Sequence, residues 1–273
     1  MSKPEDSPLG KPAAYGDRYD PGLLFAIERA PQRVALGIGD ALPFSGADLW
    51  TAYELSWLDP HGKPEVAIAR FSVPADSPRI VESKSLKLYL NSFSQTPFDS
   101  AAGVERAIAA DLGRAFGTGL AVELVAPPAF ARLRVEELAG ESIDDLPIEV
   151  HDYSPRPDLL AASGAAVADA LVSQLFKSNC PVTGQPDWGS VQVRYRGPRI
   201  DRAGLLRYLV SFRQHAGFHE HCVERIFVDV RERCRPEQLT VYARFTRRGG
   251  IDINPFRSDW EQPPPPDVRT ARQ

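Results

Sequence analysis

The chain has 273 residues, of which 43% are hydrophobic and 25% charged, with a formal net charge of −4. That length can bury one large core or two ordinary modules without metal or disulfide staples, and no apolar run approaches the roughly 20 residues that cross a bilayer. Lys and Arg are scattered among acids, which excludes nucleic acid as the main partner, because phosphate binding needs a concentrated basic field; a small molecule is the expected ligand.

Taken in chain order, residues 1–45 form an extension whose first twenty residues mix charge, Pro and Gly without the apolar centre of a secretory signal. Leu49 to Leu58 and Val66 to Val73 alternate as strands, and Pro60 and Gly62 between them predict a hairpin. Lys84 to Phe93 reads as a short helix, and Ser100 to Phe116 as a longer one with Val104, Ile108, Leu112 and Phe116 on one face and Gly117 as its stop. Leu120 to Val125 and Ala131 to Val135 are expected to be strands, closing a first module over residues 46–150 in the order ββααββ. A linker, residues 151–164, carries Ser154-Pro155-Arg156-Pro157. The order then repeats over residues 165–258: strands at Leu171 to Lys177 and Ser190 to Arg196, helices at Ala203 to Arg213 and His219 to Cys234, strands at Leu239 to Thr246 and Ile251 to Phe256. The Pro-rich tail, residues 259–273, is as poor in packing residues as the first twenty, and both ends are expected to be loose or draped over the surface.

The repeat is visible in the residues themselves. Pro78 to Phe93 (PRIVESKSLKLYLNSF) returns as Pro198 to Phe212 (PRIDRAGLLRYLVSF), and the turn Gly62-Lys63-Pro64-Glu65 returns as Gly184-Gln185-Pro186-Asp187. The spacings, 120 residues for one motif and 122 for the other, agree to within two residues. The fold class is therefore α+β, with antiparallel sheets and the helices segregated to one face. Sheet edges left open by such modules are expected to pair with another copy.

The chemistry is concentrated in the second copy. The loop from Ser178 to Gly189 places Cys180 seven residues before Asp187, with Pro and Gly able to bend the chain so that both side chains face one ligand. A thiolate attacks an electrophilic carbon while an acid protonates the atom that gains charge, a pairing suited to a nitrile. A half-buried cysteine in a hairpin, with Asp capping the turn, is the structural alternative, and Leu58 lies near the cysteine position in the first copy. His219-Glu220-His221-Cys222 opens a helix, where a carboxylate can anchor donors of a bound base and an imidazole can handle protons; a charged first helical turn is the alternative. Cys180, His219, His221 and Cys222 also carry zinc-donor atoms, but His221 points away from the face shared by His219 and Cys222, and no metal is expected. Arg247-Arg248-Gly249-Gly250 joins two strands as a phosphate rest or a solvated turn, and Ser83 or Ser85 could cap a helix. The odd count of three cysteines, Cys180, Cys222 and Cys234, fits a reducing compartment, so the cytoplasm is expected, with Cys234 structural.

Glu82 to Phe93 (ESKSLKLYLNSF), Ser178 to Asp187 and Phe218-His219-Glu220 together resemble the NADPH-dependent 7-cyano-7-deazaguanine reductases, over most of residues 46–258. The resemblance implies two fused tunnelling-fold modules, a homodimer, and reduction of a deazapurine nitrile to the amine in queuosine biosynthesis, a tRNA-modification pathway. It implies that Cys180 forms a thioimide, that Asp187 protonates the nitrile nitrogen, and that His219, a catalytic residue with them, and Glu220 help hold and protonate the substrate, with Val81, Glu82 and Ser83 contributing from the first module. Ser83, Lys84, Arg248 and Gly249 are the positions it implies for NADPH, since no Gly-rich dinucleotide fingerprint is present. The split of these motifs across the repeat implies that both halves are needed. Zinc-dependent pterin-forming hydrolysis on a related fold and non-catalytic purine binding are the rival readings.

Overall fold

In the computed structural model of the chain, residues 6, 7, 15–39, 41–262 and 264–273 are described. The strands are β1 (Ala26–Glu28), β2 (Ser45–Leu58), β3 (Pro64–Pro74), β4 (Arg79–Val81), β5 (Ala121–Val125), β6 (Glu141–Ser142), β7 (Ala162–Asn179), β8 (Pro186–Ile200), β9 (Gln238–Phe245) and β10 (Ile251–Ser258). The helices are α1 (Ala30–Ala35), α2 (Ser83–Asn91), α3 (Ala101–Phe116), α4 (Arg202–Ser211) and α5 (His219–Cys234). The chain is thus α+β, with sheets that are almost entirely antiparallel; the short β6 is the parallel partner of β7.

Contacts divide the chain into two units, one of residues 1–31, 48–134 and 247–253, the other of residues 32–47, 135–246 and 254–273. In the first, the strand order is β5-β3-β2. The four apolar residues expected on one face of α3 are all buried, beside Leu86, Tyr89 and Phe93 and a stacked pair, Trp50 and Phe71. Burial of side chains of this size contributes roughly 1.5–3 kcal/mol each, and it is what makes an amphipathic helix of this length stable. Ser100 accepts from the Gly103 N–H at the start of α3, the capping role its position predicts. Glu82 caps α2: its carboxylate accepts the N–H groups of Lys84 (2.6 Å) and Ser85 (2.9 Å), so neither serine holds the cap, and the Ser85 hydroxyl instead donates to the Glu82 carbonyl.

In the second unit the order is β10-β9-β8-β7-β6. The expected strands are present; β7, β8 and β10 are longer than expected, β7 running over 18 residues, and β9 is shifted by one residue. Its alternation is interrupted between Ser173 and Phe176, where the register against β8 shifts. The Asp144 carboxylate accepts from the Ser173 hydroxyl (2.6 Å) and the Gln174 N–H (2.9 Å) at this bulge, satisfying groups the ladder leaves over. A strand interrupted in this way shows only part of its period in sequence.

One expected element is corrected. Ala131 to Val135 is not a strand: residues 127–132 form a 3-10 helix, because Pro127 and Pro128 lack the N–H donors a ladder needs and hold φ near helical values. Of the two expectations for the tail, the draped one holds: Thr270 and Gln273 are buried, and Val135 bridges to Arg269. Part of the N-terminal extension is ordered too, β1 pairing with β4 through Ala26 and Val81, while residues 1–5 and 8–14 lie outside the described residues.

The repeat extends to individual hydrogen bonds. In the first copy Leu58 exchanges backbone bonds with Thr96 and Phe98; in the second Asn179 does so with His215 and Gly217. The Asp59 N–H donates to the Lys63 carbonyl and the Gly62 N–H to the Asp59 carbonyl; the Cys180 N–H donates to the Gln185 carbonyl and the Gly184 N–H to the Cys180 carbonyl. The counterpart of Cys180 is therefore Asp59, and Leu58 matches Asn179. Tyr89 donates to Asp111 (2.7 Å) between α2 and α3, as Tyr208 donates to Asp229 (2.6 Å) between α4 and α5.

Candidate active site

The second unit holds four of the expected residues. Strands β7 and β8 form a hairpin in which Ser178 lies opposite Asp187 and Asn179 opposite Pro186, so Cys180 opens the turn just beyond the second of these pairs. The backbone of Cys180 is held from both directions, its N–H donating to Gln185 (2.9 Å) and its carbonyl accepting from Gly184 (3.0 Å). Cys180 is 5% exposed and Asp187 3%. The turn is anchored one residue upstream: the Asn179 N–H donates to the His215 carbonyl (2.8 Å), its carbonyl accepts from Gly217 (3.0 Å), and the Lys177 ammonium bridges the Asn179 side chain (2.6 Å) and the Arg213 carbonyl (2.7 Å). The Arg213–Gly217 segment leads directly into α5.

His219 and Glu220 form the first turn of α5, where the helix's unpaired N–H groups favour negative charge. The His219 Nε2 is 3.4 Å from Asp187 Oδ1, and its ring lies face to face with Phe245 at 3.8 Å and 3°. Its Nδ1 is buried without a hydrogen-bond partner among the described residues. Glu220 is buried. Thiol, carboxylate and imidazole thus come from one hairpin and one helix start, an arrangement able to attack an electrophilic carbon and manage the protons involved. Asn179 belongs to the loop that carries Cys180, and Lys177 ends the strand before it; Phe245 reads as an ordinary strand residue, and nothing in its neighbours signals the stack.

The remaining cysteines do different work. Burial pushes the Cys222 thiol up to about 12 and the Cys234 thiol up to about 11, so both stay protonated at neutral pH and behave as core residues. Among the described residues no group of three or more His, Cys, Asp or Glu side chains is placed to hold a metal ion. Burial, with help from the Arg225 charge, lowers His215 to about 4, leaving it neutral.

The first unit holds the other expected residues. Val81 and Glu82 are buried at the end of β4, with Ser83 and Lys84 opening α2. Burial raises the Glu82 carboxyl above the usual carboxylate range, against the lowering effect of its capping bonds. Arg248, Gly249, Gly250 and Ile251 make a tight turn in which Arg248 and Ile251 exchange backbone bonds and both glycines have positive φ, 57° and 77°. The turn packs on α2: a Cβ at Gly249 would lie 2.9 Å from Lys87 Cδ. Beside it are Lys87, 3.7 Å from Glu54, and Arg247, over the Tyr53 ring.

Two family profiles match the chain: the one described as nitrile reductase, 7-cyano-7-deazaguanine-reductase N-term, over residues 15–124, and the one described as QueF-like protein, over residues 186–264. Among relatives, the NADPH-dependent 7-cyano-7-deazaguanine reductase of Bordetella pertussis is 61% identical over 98% of both chains. That of Burkholderia multivorans is 58% identical over 99% of both. A solved structure of the archaeosine synthase QueF-Like in the apo form aligns with 37% of this chain and 99% of its own, at 17% identity and a TM-score of 0.32. With near-complete coverage at such identity, the chain belongs to the NADPH-dependent 7-cyano-7-deazaguanine reductase family.

Proposed function

We propose that the chain reduces the nitrile of 7-cyano-7-deazaguanine to the primary amine 7-aminomethyl-7-deazaguanine, a four-electron conversion in queuosine biosynthesis, with Cys180 as covalent nucleophile. The observation that supports this assignment of residues is the β7–β8 hairpin, which buries both Cys180 and Asp187 and sets Asp187 against His219. The Cys180 sulfur adds to the nitrile carbon while Asp187 delivers a proton to the nitrogen, giving a thioimide. Cys180 leaves again as the carbon is reduced. His219 offers its unpartnered Nδ1 to the substrate, and Glu220, at a helix N-terminus, accepts donors of the base. Val81, Glu82 and Ser83 are assigned to the same substrate.

Two molecules of NADPH, bound in turn, would each supply one of the two hydrides that the conversion consumes. Ser83, Lys84, Arg248 and Gly249 would hold the cofactor, and their setting supports this: Gly249 is exposed in a positive-φ turn beside the cationic side chains of Lys87 and Arg247. We assign the two halves, residues 46–150 and 165–258, to two tunnelling-fold modules joined by residues 151–164. Their paired turns, with Asp59 and Cys180 in matching bonds, support this. A homodimer acting in the cytoplasm completes the reading; three cysteines without disulfides suit a reducing compartment.

The test is to mix the protein with the nitrile and NADPH and follow the reduced nicotinamide's absorbance, with intact mass read in parallel. Cys180→Ala is expected to bind the nitrile but form no adduct and oxidise no NADPH; oxidation near the parent rate would overturn covalent catalysis. Arg248→Ala is expected to weaken NADPH by roughly 1.5–3 kcal/mol, the worth of a charge-assisted bond to the extra phosphate, while sparing NADH. Equal losses for the two cofactors would place that phosphate elsewhere.

A further inference from the structure

The segment after β10 ends in a side chain with every polar atom engaged. Gln273 is 4% exposed. Its Oε1 accepts from Arg244 Nε (2.8 Å) and the Thr270 N–H (2.9 Å), and its Nε2 donates to the Phe245 carbonyl (2.8 Å) and to Asn254 Oδ1 (2.8 Å). Asn254 Oδ1 also accepts the Phe245 N–H (3.1 Å). Two side-chain amides therefore engage both main-chain polar groups of Phe245. They do so where β10 has left the edge of β9, since those strands pair only from Tyr242 to Thr240. Arg244 is fixed in turn by Asp267 (2.6 Å) and the Tyr242 hydroxyl (2.6 Å).

The ring of Phe245 lies at the centre of this clamp. One face covers the His219 imidazole, Phe176 meets it edge-on at 5.8 Å, and Gly189 opposite it leaves so little room that a Cβ would come within 3.1 Å of Cδ1. A ring held in this way has one place to stand. We propose that Gln273 is a positioning residue for the reaction: by clamping the backbone of Phe245, it holds the surface on which the His219 imidazole rests, at its spacing from Asp187. The proposal rests on the role assigned above to His219. An apolar residue at 273 could fill the same space but would leave the Phe245 carbonyl and the Arg244 guanidinium without those partners, and buried polar groups in that condition drive local rearrangement.

The test uses the full chain with histidine side chains isotopically labelled. Because the Phe245 face shields what lies above it, the His219 carbon-bound protons are expected upfield of those of the other four histidines. In Gln273→Ala, and more mildly in Gln273→Glu, which keeps the acceptors and loses the donors, they are expected to move downfield, while adduct formation with the nitrile slows by about ten- to hundredfold, as for a displacement near 1 Å. Phe245→Leu, which leaves the Gln273 clamp intact, is expected to abolish the upfield shift, and adding Gln273→Ala to it is expected to cost little more, as for two residues on one path. A Gln273→Ala protein that melts earlier but keeps its His219 resonances and adduct rate, or additive losses in the double variant, overturns the proposal. His219→Ala separates the two layers: parent-rate turnover in that variant sinks the role of His219 itself, whereas lost turnover there, with unmoved resonances in Gln273→Ala, sinks only the link to Gln273.

Discussion

The first-copy turn at Asp59 and the second-copy turn at Cys180 are closed by corresponding backbone bonds, the second one residue longer, and differ in what their side chains do. Asp59 spends its carboxylate on the N–H groups of His61 and Lys63 in an exposed turn, which lowers its pKa. Glu65, the match of Asp187 in the repeated turn, pairs with Lys63 in solvent, whereas Asp187 is buried against His219. Where α5 opens with His219 and Glu220, α3 opens with Ala101 and Ala102. A duplicated frame thus keeps corresponding hydrogen bonds while the second copy buries a thiol and a carboxylate where the first leaves two carboxylates partly exposed. The frame tolerates this because a turn held by its backbone leaves its side chains free to change.

The largest expected effect separates the two acids. Asp187→Asn keeps shape but removes a positioned proton donor and is expected to slow adduct formation by about 10² to 10⁴, while Glu65→Gln leaves the rate unchanged. Stopped-flow measurement of adduct formation checks both, and a comparable loss in each would erase the distinction between the copies.

A smaller effect probes what the copies share. Tyr208→Phe removes a hydroxyl donor from Asp229, a carboxylate whose pKa burial already raises, and is expected to cost about 1.5–3 kcal/mol. Tyr89→Phe is expected to cost roughly 0.5–1.5 kcal/mol, because Asp111 keeps both Tyr19 and Arg114, whereas Asp229 keeps Arg225 at a looser 3.5 Å. Denaturant titration reads the difference, and equal costs would mean that the extra partners of Asp111 contribute nothing.

The smallest concerns His215, whose counterpart in the first copy is Thr96. A histidine lowered to about 4 by burial stays neutral in the folded chain while the unfolded chain takes up a proton below its usual value. Stability is therefore expected to fall as pH drops from about 6.5 towards 4, by roughly 1 kcal/mol once solvent screening is allowed for. His215→Gln should flatten that part of the pH profile of the melting temperature, and an unchanged slope would assign the acid sensitivity to other groups.

The sequence by itself determined the helices and the repeat. The four-residue spacing of Val104, Ile108, Leu112 and Phe116 is local, and so are the turn residues around Gly62 and Gly184, which is why both were legible. The chemical types at Cys180, Asp187, His219 and Glu220 were legible for the same reason. Only the tertiary structure decided which carboxylate caps α2, that Pro127 and Pro128 turn an expected strand into a 3-10 helix, and that the tail packs. It also decided that Asp59 rather than Leu58 stands at the place of Cys180. The reason is range: a strand edge such as that of Phe245 is completed by Gln273, 28 residues away, and no periodicity in the chain encodes a bond between two side-chain amides and a backbone they meet only after folding.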